Sequence, residues 1–288
     1  MSKRDFSELP KVLSIAGSDP SGGAGIQADL KVMAQLDVYG AAAVTALTRQ
    51  TTRGVHHIYA LEPDWVLRQI EEVLYDLKPR VVKTGMLQSP AILQGLAKIW
   101  RAYQEEYRSL LDSDCSDNEQ ERRLVIDPVM HSGTGISLLD EGSLRLFREE
   151  LLPLTTVLTP NIPEAEAFTG MRIKNMEDME KAAGLLLDCG VQWVLLKGGH
   201  LPGQEEGEIV DLLCSHDESY AFAGPRIPYQ DPHGTGCTLA SALASYMAQN
   251  YSVRESAASA ITWVRRAIEK PLQVGTGRPV VCQPALVK

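Results

Sequence analysis

The sequence predicts a three-layer α/β/α fold on a mainly parallel central sheet, and three observations predict it. Short apolar runs of strand length alternate with longer segments in which apolar residues recur every three or four positions. Such alternation belongs to strands joined by crossover helices on both faces of one sheet. Glycine-rich or polar clusters follow the strands one after another, where ligands of such sheets sit. No linker or shift in composition divides the chain. One domain is therefore expected over residues 11–270, with 1–10 and 271–288 as terminal extensions.

Residues 12–16 read as a buried strand. Residues 25–36 read as a helix, with Ile26, Leu30, Met33 and Ala34 on one face. A second strand covers 41–47. Pro63 and Asp64 start a helix over 64–77, because Pro suits a first turn and Asp complements its positive end. A strand at 80–83 leads to a helix at 91–107, just past Pro90. Residues 124–126 form a strand and 141–152 a helix, then 156–158 a strand and 163–168 a short helix. The helix at 176–189 ends at Gly190, and 193–196 is the next strand. Two short runs, 209–213 and 220–223, then lie close together across polar residues, which predicts an antiparallel hairpin at a sheet edge. Helices at 238–249 and 253–268 follow. The acidic stretch DSDCSDNEQE at 112–121 is expected to be a solvated loop.

Composition excludes several classes of function. At 44% apolar residues the chain can bury a large core, which at 6% aromatic residues must rest on Val, Leu, Ile and Ala. The formal charge of −9 lacks the basic footprint that nucleic acid requires, although one local positive site suffices for an anionic substrate. No apolar run reaches the roughly 20 residues of a membrane span. Lys3 and Arg4 are not followed by the apolar stretch of a signal peptide. The cysteines, Cys115, Cys189, Cys214, Cys237 and Cys282, are odd in number and form no CxxC pair. They fit a reducing, cytoplasmic setting with neither a disulfide framework nor a zinc site.

The strand ends carry the chemistry. HGTGCT at 233–238 precedes an Ala-rich helix. Gly234 and Gly236 let the backbone turn tightly around Thr235, and the helix start adds N–H donors and partial positive charge. Together these suit a transferring phosphoryl group. Alone, the segment also reads as a glycine turn capped by Thr238; its place among similar loops favours the phosphate site. Cys237 stands where a catalytic base belongs. It is either a thiol of pKa about 8.5 that the helix start lowers, or a small residue that packs well. The loop at 17–25 can wrap a small ring while Asp29, one turn into the next helix, bonds an amino or hydroxyl group. Its glycines match neither a dinucleotide fold nor a P-loop, and a plain mobile connection is the bland alternative. Asp127 and Glu164 follow separate strands and offer hard oxygens to Mg2+, with Asn161 to orient a water. Asn161 and Glu164 also read as a capping box, and the two readings are compatible. Lys197 ends a strand beside Gly198 and Gly199, placed to neutralise ATP phosphates or to snorkel at the surface. His56, His57, His131 and His216 share no ligand spacing and read as structural or surface residues.

Seven segments occur in one order: AGSDPSGGAGIQADLK (16–31), VYGAAAVTALTRQ (38–50), VVKTGML (81–87), VIDPVM (125–130), LTPNIPEAEAFTG (158–170), LLKGGHL (195–201) and HGTGCTLASALA (233–244). In them the chain resembles the hydroxymethylpyrimidine and phosphomethylpyrimidine kinases of thiamine biosynthesis, within the ribokinase superfamily. The resemblance spans residues 12–268, and its first and last segments together are the most specific part. It implies one ribokinase-like domain without the lid sheet of some sugar kinases. It also implies ATP, Mg2+ and transfer of the γ-phosphoryl group to an aminopyrimidine. By motif position, Gly17, Asp29, Gln50, Met86 and Val129 would contact the ring, and Gly234 and Gly236 would form the anion hole. Cys237 takes the place of the catalytic Asp of sugar kinases. A homodimer is implied as well.

Two departures stand out. After Met130 many relatives carry Lys or Thr where this chain has Gly133, so a phosphate contact from that loop is not implied here. Gln-Asn-Thr after the second strand is Gln50-Thr51-Thr52, which keeps the glutamine. Pyridoxal or pyridoxine kinase is the nearest enzyme alternative, and a non-catalytic pyrimidine sensor is the alternative from another class. The presence of Asp127, Glu164 and Cys237 argues against the sensor.

Overall fold

Both faces of the central strands are apolar because both are covered. Val81 and Val82, Val157 and Leu158, and Leu195 and Leu196 are adjacent pairs, all fully buried. Within each pair the two residues point into different cores on opposite faces of the sheet. The computed structural model describes residues 9–109, 121–130, 141–201, 207–227 and 232–281. Its strands are β1 Lys11–Ser18, β2 Tyr39–Thr51, β3 Gly54–Ala60, β4 Val81–Thr84, β5 Arg123–Ile126, β6 Val157–Leu158, β7 Trp193–Leu196, β8 Glu208–Cys214 and β9 Ser219–Pro225. Among the described residues they form one sheet in the order β3-β2-β1-β4-β5-β6-β7-β8-β9. The pairs from β2 through β7 are parallel, as the alternation predicts. The expected hairpin is β8–β9, antiparallel at one edge.

One face is covered by α2 Pro63–Leu77, α3 Pro90–Ser109, α4 Glu141–Leu146, α5 Ile162–Thr169 and α6 Met176–Leu187. The other carries α1 Gly25–Gln35, α7 Thr235–Ala248 and α8 Val253–Glu269. Every residue of α7 from Thr238 to Ser245 is buried. It packs on α1 and α8 and lies over β1, β4 and β5. A helix surrounded on all sides needs small side chains, which explains its run of Ala and Ser. Sharp starts come from capping boxes at Asn161 for α5 and Ser252 for α8.

Three expectations need correction. First, β3 was not anticipated, and β2 runs on to Thr51, pairing with β3 across a two-residue turn at Thr52 and Arg53. Gln50 therefore lies on a hairpin arm rather than in a loop. The alternation of β3 is weak because His56 and His57 are both exposed. Second, the helix at 141–152 breaks into α4, a π-helical turn at Phe147–Leu151 and a 3-10 turn at Leu152–Leu154. Pro153 has no N–H with which to continue a regular helix. Third, residues 271–281 are no extension. Leu272 and Val280 exchange backbone hydrogen bonds of 2.9 and 3.0 Å, and His233 N donates to Pro279 O at 2.9 Å. The acidic stretch, apart from Glu121, lies outside the described residues, as do His131, Gly133, Cys115 and Cys282. Among the described residues no helix is long and apolar enough to cross a membrane.

Candidate active site

The carboxyl ends of β1, β4, β5, β6 and β7 open onto one cavity of about 930 Å³, within the range typical of small-molecule sites. It takes in Gly17, Gln50, Met86, Val129, Asp127, Asn161, Glu164, Lys197 and the loop Gly234–Cys237. All but one of the expected site residues therefore meet in a single space. The exception is Asp29.

At the base of the cavity, Gly234 caps α7 with φ at 91°, a left-handed conformation that glycine adopts without penalty. The helix starts at Thr235, three residues earlier than expected, so Thr238 is not its cap. Cys237 instead lies in the first turn, where backbone N–H groups lack partners within the helix. A Cβ on Gly236 would stand 3.4 Å from Asp127 Oδ2 and 3.6 Å from Lys197 Nζ. The bare backbone of the loop thus faces both.

Lys197 Nζ donates to Asp127 Oδ1 at 3.3 Å and lies 3.9 Å from Glu164 Oε2. It is no snorkelling lysine: its side chain is 16% exposed and points inward. Burial opposes its charge, but the Asp127 and Glu164 carboxylates outweigh that and hold its pKa above the ordinary value. Glu164 is pushed up to about 7, first by burial and then, against the pull of Lys197, by the charge of Asp127. The Glu164 carboxylate also accepts from Asn161 N at 2.8 Å, while Asn161 Oδ1 accepts from Glu164 N at 2.9 Å. The capping box expected from sequence is therefore present, and both of its residues line the cavity.

The opposite end is formed around the glycine-rich loop. Asp19 binds that loop to itself, accepting from Ser21 N at 2.9 Å, Ser21 Oγ at 2.7 Å and Ala24 N at 2.9 Å. His233 Nε2 lies 2.9 Å from Asp19 Oδ2 and 2.8 Å from the Gln50 amide nitrogen. Burial raises the Asp19 pKa, but the hydrogen bonds from His233 and Ser21 outweigh it, so the carboxyl stays below its usual range. Thr45 Oγ1 donates to Met86 O at 2.7 Å, tying β2 to the strand end that carries Met86.

Asp29 does not reach this space. Its side chain is wholly buried, and Lys83 Nζ, Ser14 Oγ and Ser241 Oγ donate to it at 2.8, 2.5 and 2.7 Å. Ser14 and Lys83 are register partners on β1 and β4, so both side chains leave the sheet on the side of α1 and α7. The expected ring contact is replaced by a buried ion pair beneath the cavity floor. That pair bears on Cys237. Burial pushes the Cys237 thiol up to about 12; the Lys83 ammonium pulls it down, and the Asp29 and Asp127 carboxylates raise it further. The lowering expected from the helix start does not prevail.

Residues 19–281 match the family model described as phosphomethylpyrimidine kinase. The chain belongs to that family. It is 40% identical over 267 residues to the hydroxymethylpyrimidine/phosphomethylpyrimidine kinase of Bacillus subtilis strain 168, covering 93% of this chain and 92% of the relative. The crystal structure of phosphomethylpyrimidine kinase from Clostridium difficile 630 superposes with a TM-score of 0.75 at 37% identity, covering 90% of this chain and 99% of that one. Pyridoxal kinase from Staphylococcus aureus, in complex with AMP-PCP and pyridoxal, superposes with a TM-score of 0.81 at 33% identity, covering 96% and 93%. The ribokinase-like fold read from the family motifs is thereby established. Asp19, His233 and Arg278 also line the phosphomethylpyrimidine kinase cavity and were not foreseen as site residues. Asp19 and His233 sit inside quoted motifs. Arg278 lies beyond the expected end of the domain, so sequence gave no local sign of it.

Proposed function

We propose that this chain transfers the γ-phosphoryl group of ATP to 4-amino-5-hydroxymethyl-2-methylpyrimidine and then to its monophosphate, giving the diphosphate for thiamine biosynthesis. The observation that carries the reading is one cavity, in a member of the phosphomethylpyrimidine kinase family, that joins a cationic and acidic strand-end cluster to a part lined by Gly17, Gln50, Met86 and Val129. In-line phosphoryl transfer asks a protein mainly for placement and charge stabilisation. Gly17, Gln50, Met86 and Val129 would hold the ring. Lys197, Asn161 and the Gly234–Gly236 backbone would receive the phosphates, and Cys237 would take the hydroxyl proton.

Asp127 and Glu164 fit Mg2+. They are two buried carboxylates served by one lysine, and the high pKa of Glu164 reflects burial together with that surplus of negative charge. Among the described residues no group of three or more His, Cys, Asp or Glu is placed to hold a metal. Such a donor set suits an ion that enters with phosphates, since Mg2+ commonly takes only one or two carboxylates from a protein. When bound, it supplies neutralisation of the phosphate charge.

The deciding experiment follows ATP turnover with the aminopyrimidine alcohol by product analysis. The monophosphate and then the diphosphate are expected to accumulate. Folded protein that consumes no ATP with either substrate would sink the reading. The likeness to a pyridoxal-bound kinase supports pyridoxal as a second ring, so the same assay should include it as a competitor.

A homodimer also belongs to this reading. Leu47 and Tyr59 are register partners on β2 and β3, 48% and 61% exposed, and Trp65 at the start of α2 is 70% exposed. Large apolar side chains at a sheet edge suit a self-complementary interface. Tyr59→Glu combined with Trp65→Glu is expected to halve the mass measured by light scattering. A monomeric wild-type protein at micromolar concentration would overturn the proposal.

A further inference from the structure

Four cationic side chains line the cavity among the described residues: Lys197, Arg226, Arg265 and Arg278. Three are committed at the end formed by β7, β8, β9 and α8. Lys197 pairs with Asp127 and Glu164. Arg226 Nη2 donates to Gly199 O at 2.7 Å. Arg265 donates to Ala223 O and Phe222 O at 2.8 and 2.9 Å and lies 3.8 Å from Asp211. Arg278 stands apart from them, and its guanidinium has no hydrogen bond or ion pair among the described residues.

Its backbone, by contrast, is held tightly. Arg278 N donates to Thr52 O at 2.9 Å, and Gly277 N donates to Thr52 Oγ1 at 3.1 Å. A Cβ at Gly277 would collide with the Thr52 carbonyl, so only glycine permits that approach. The next residue, Pro279, accepts from His233 N, and Val281 N donates to His233 O at 3.2 Å. Arg278 is thus fixed between two points. One is the turn two residues past Gln50; the other is His233, directly before the Gly234–Gly236 loop. Among the described residues it is an exposed, uncommitted cation lining the cavity at the end that holds Gln50 and His233.

The two substrates of the proposed function differ by one phosphate group, and this inference rests on that function. The nucleotide phosphates are served by Lys197 and the helix start at the other end. We infer that Arg278 binds the phosphate of the monophosphorylated ring, and so makes the second transfer possible without contributing to the first. The recognition is a charge-assisted, two-pronged hydrogen bond from guanidinium to phosphate, which lysine reproduces only as a point charge.

The test measures kcat and KM for the alcohol and for its monophosphate separately, in wild type, Arg278→Gln and Arg278→Lys. The tail is anchored through main-chain atoms, so both variants should keep the wild-type circular dichroism and melting temperature. In Arg278→Gln, KM for the monophosphate should rise by about tenfold to a hundredfold, as expected for a lost charged hydrogen bond, while KM for the alcohol stays within about twofold. Arg278→Lys should recover part of the difference. An equal loss on both substrates, or an unchanged KM for the monophosphate, overturns the inference. So does a wild-type enzyme that phosphorylates the alcohol and not the monophosphate. If wild type uses neither substrate, the proposed function itself has failed, and this inference with it.

Discussion

Cys237→Ala is expected to lower kcat by about a hundredfold or more, the usual loss when a positioned base is removed, with folding intact. Cys237 occupies the first turn of α7 and lines the cavity beside the Gly234–Gly236 loop. Its thiol, held up at about 12, carries its proton through the neutral range in the free enzyme. The thiolate is then a minor species at neutral pH. The sign of the pH dependence follows. If the thiolate accepts the hydroxyl proton, kcat/KM of the wild type should climb with pH above neutrality, by up to about tenfold per unit. That slope should vanish in Cys237→Ala. Alkylation by iodoacetamide should be correspondingly slow at Cys237. A flat profile together with near-normal turnover in Cys237→Ala would leave the residue as packing alone.

The largest effect on stability is expected at Lys83. Lys83→Met strands the Asp29 carboxylate in a fully buried site, with only Ser14 and Ser241 left to donate. Breaking a buried pair in this way costs about 3–5 kcal/mol. Lys83→Met combined with Asp29→Leu should recover most of that loss, because neither charge then remains to be solvated. The lysine charge is insensitive to pH over the working range. Burial works against the lysine charge, Asp29 more than compensates, and the ammonium pKa ends above its ordinary value. A raised lysine pKa contributes stability that is fully present below the unfolded value, about 10.4, and is lost only at higher pH. Urea unfolding of the single and double variants closes the cycle. A single-variant cost below about 1 kcal/mol would mean that water reaches Asp29.

The parallel core of the fold was legible because its strands are apolar on both faces, and pairs such as Val81 and Val82 leave no other reading. The end of the cavity around Asp127, Glu164, Lys197 and Gly234–Gly236 is legible because strand ends, glycines and a capping box are local signals. The burial of Asp29 is not legible from periodicity. An acidic residue one turn into a helix looks available, and only the register that brings Ser14 and Lys83 side by side shows it to be spent. The β2–β3 hairpin is not legible because its outer strand displays two exposed histidines in place of an apolar alternation. Arg278 is not legible because the partners of its segment, Thr52 and His233, lie far away along the chain.

That last arrangement bears on how the enzyme is made. Residues 271–281 are the last of the described residues to leave the ribosome, and they close one end of the cavity by joining the turn at Thr52 to the loop at His233. A nascent chain that has formed every strand still lacks this seam. Contacts of such sequence separation form late, because the entropy of closing a long loop is lost before they can return anything. The cavity should therefore mature late, once residues 271–281 have joined these two points of a sheet that is already complete.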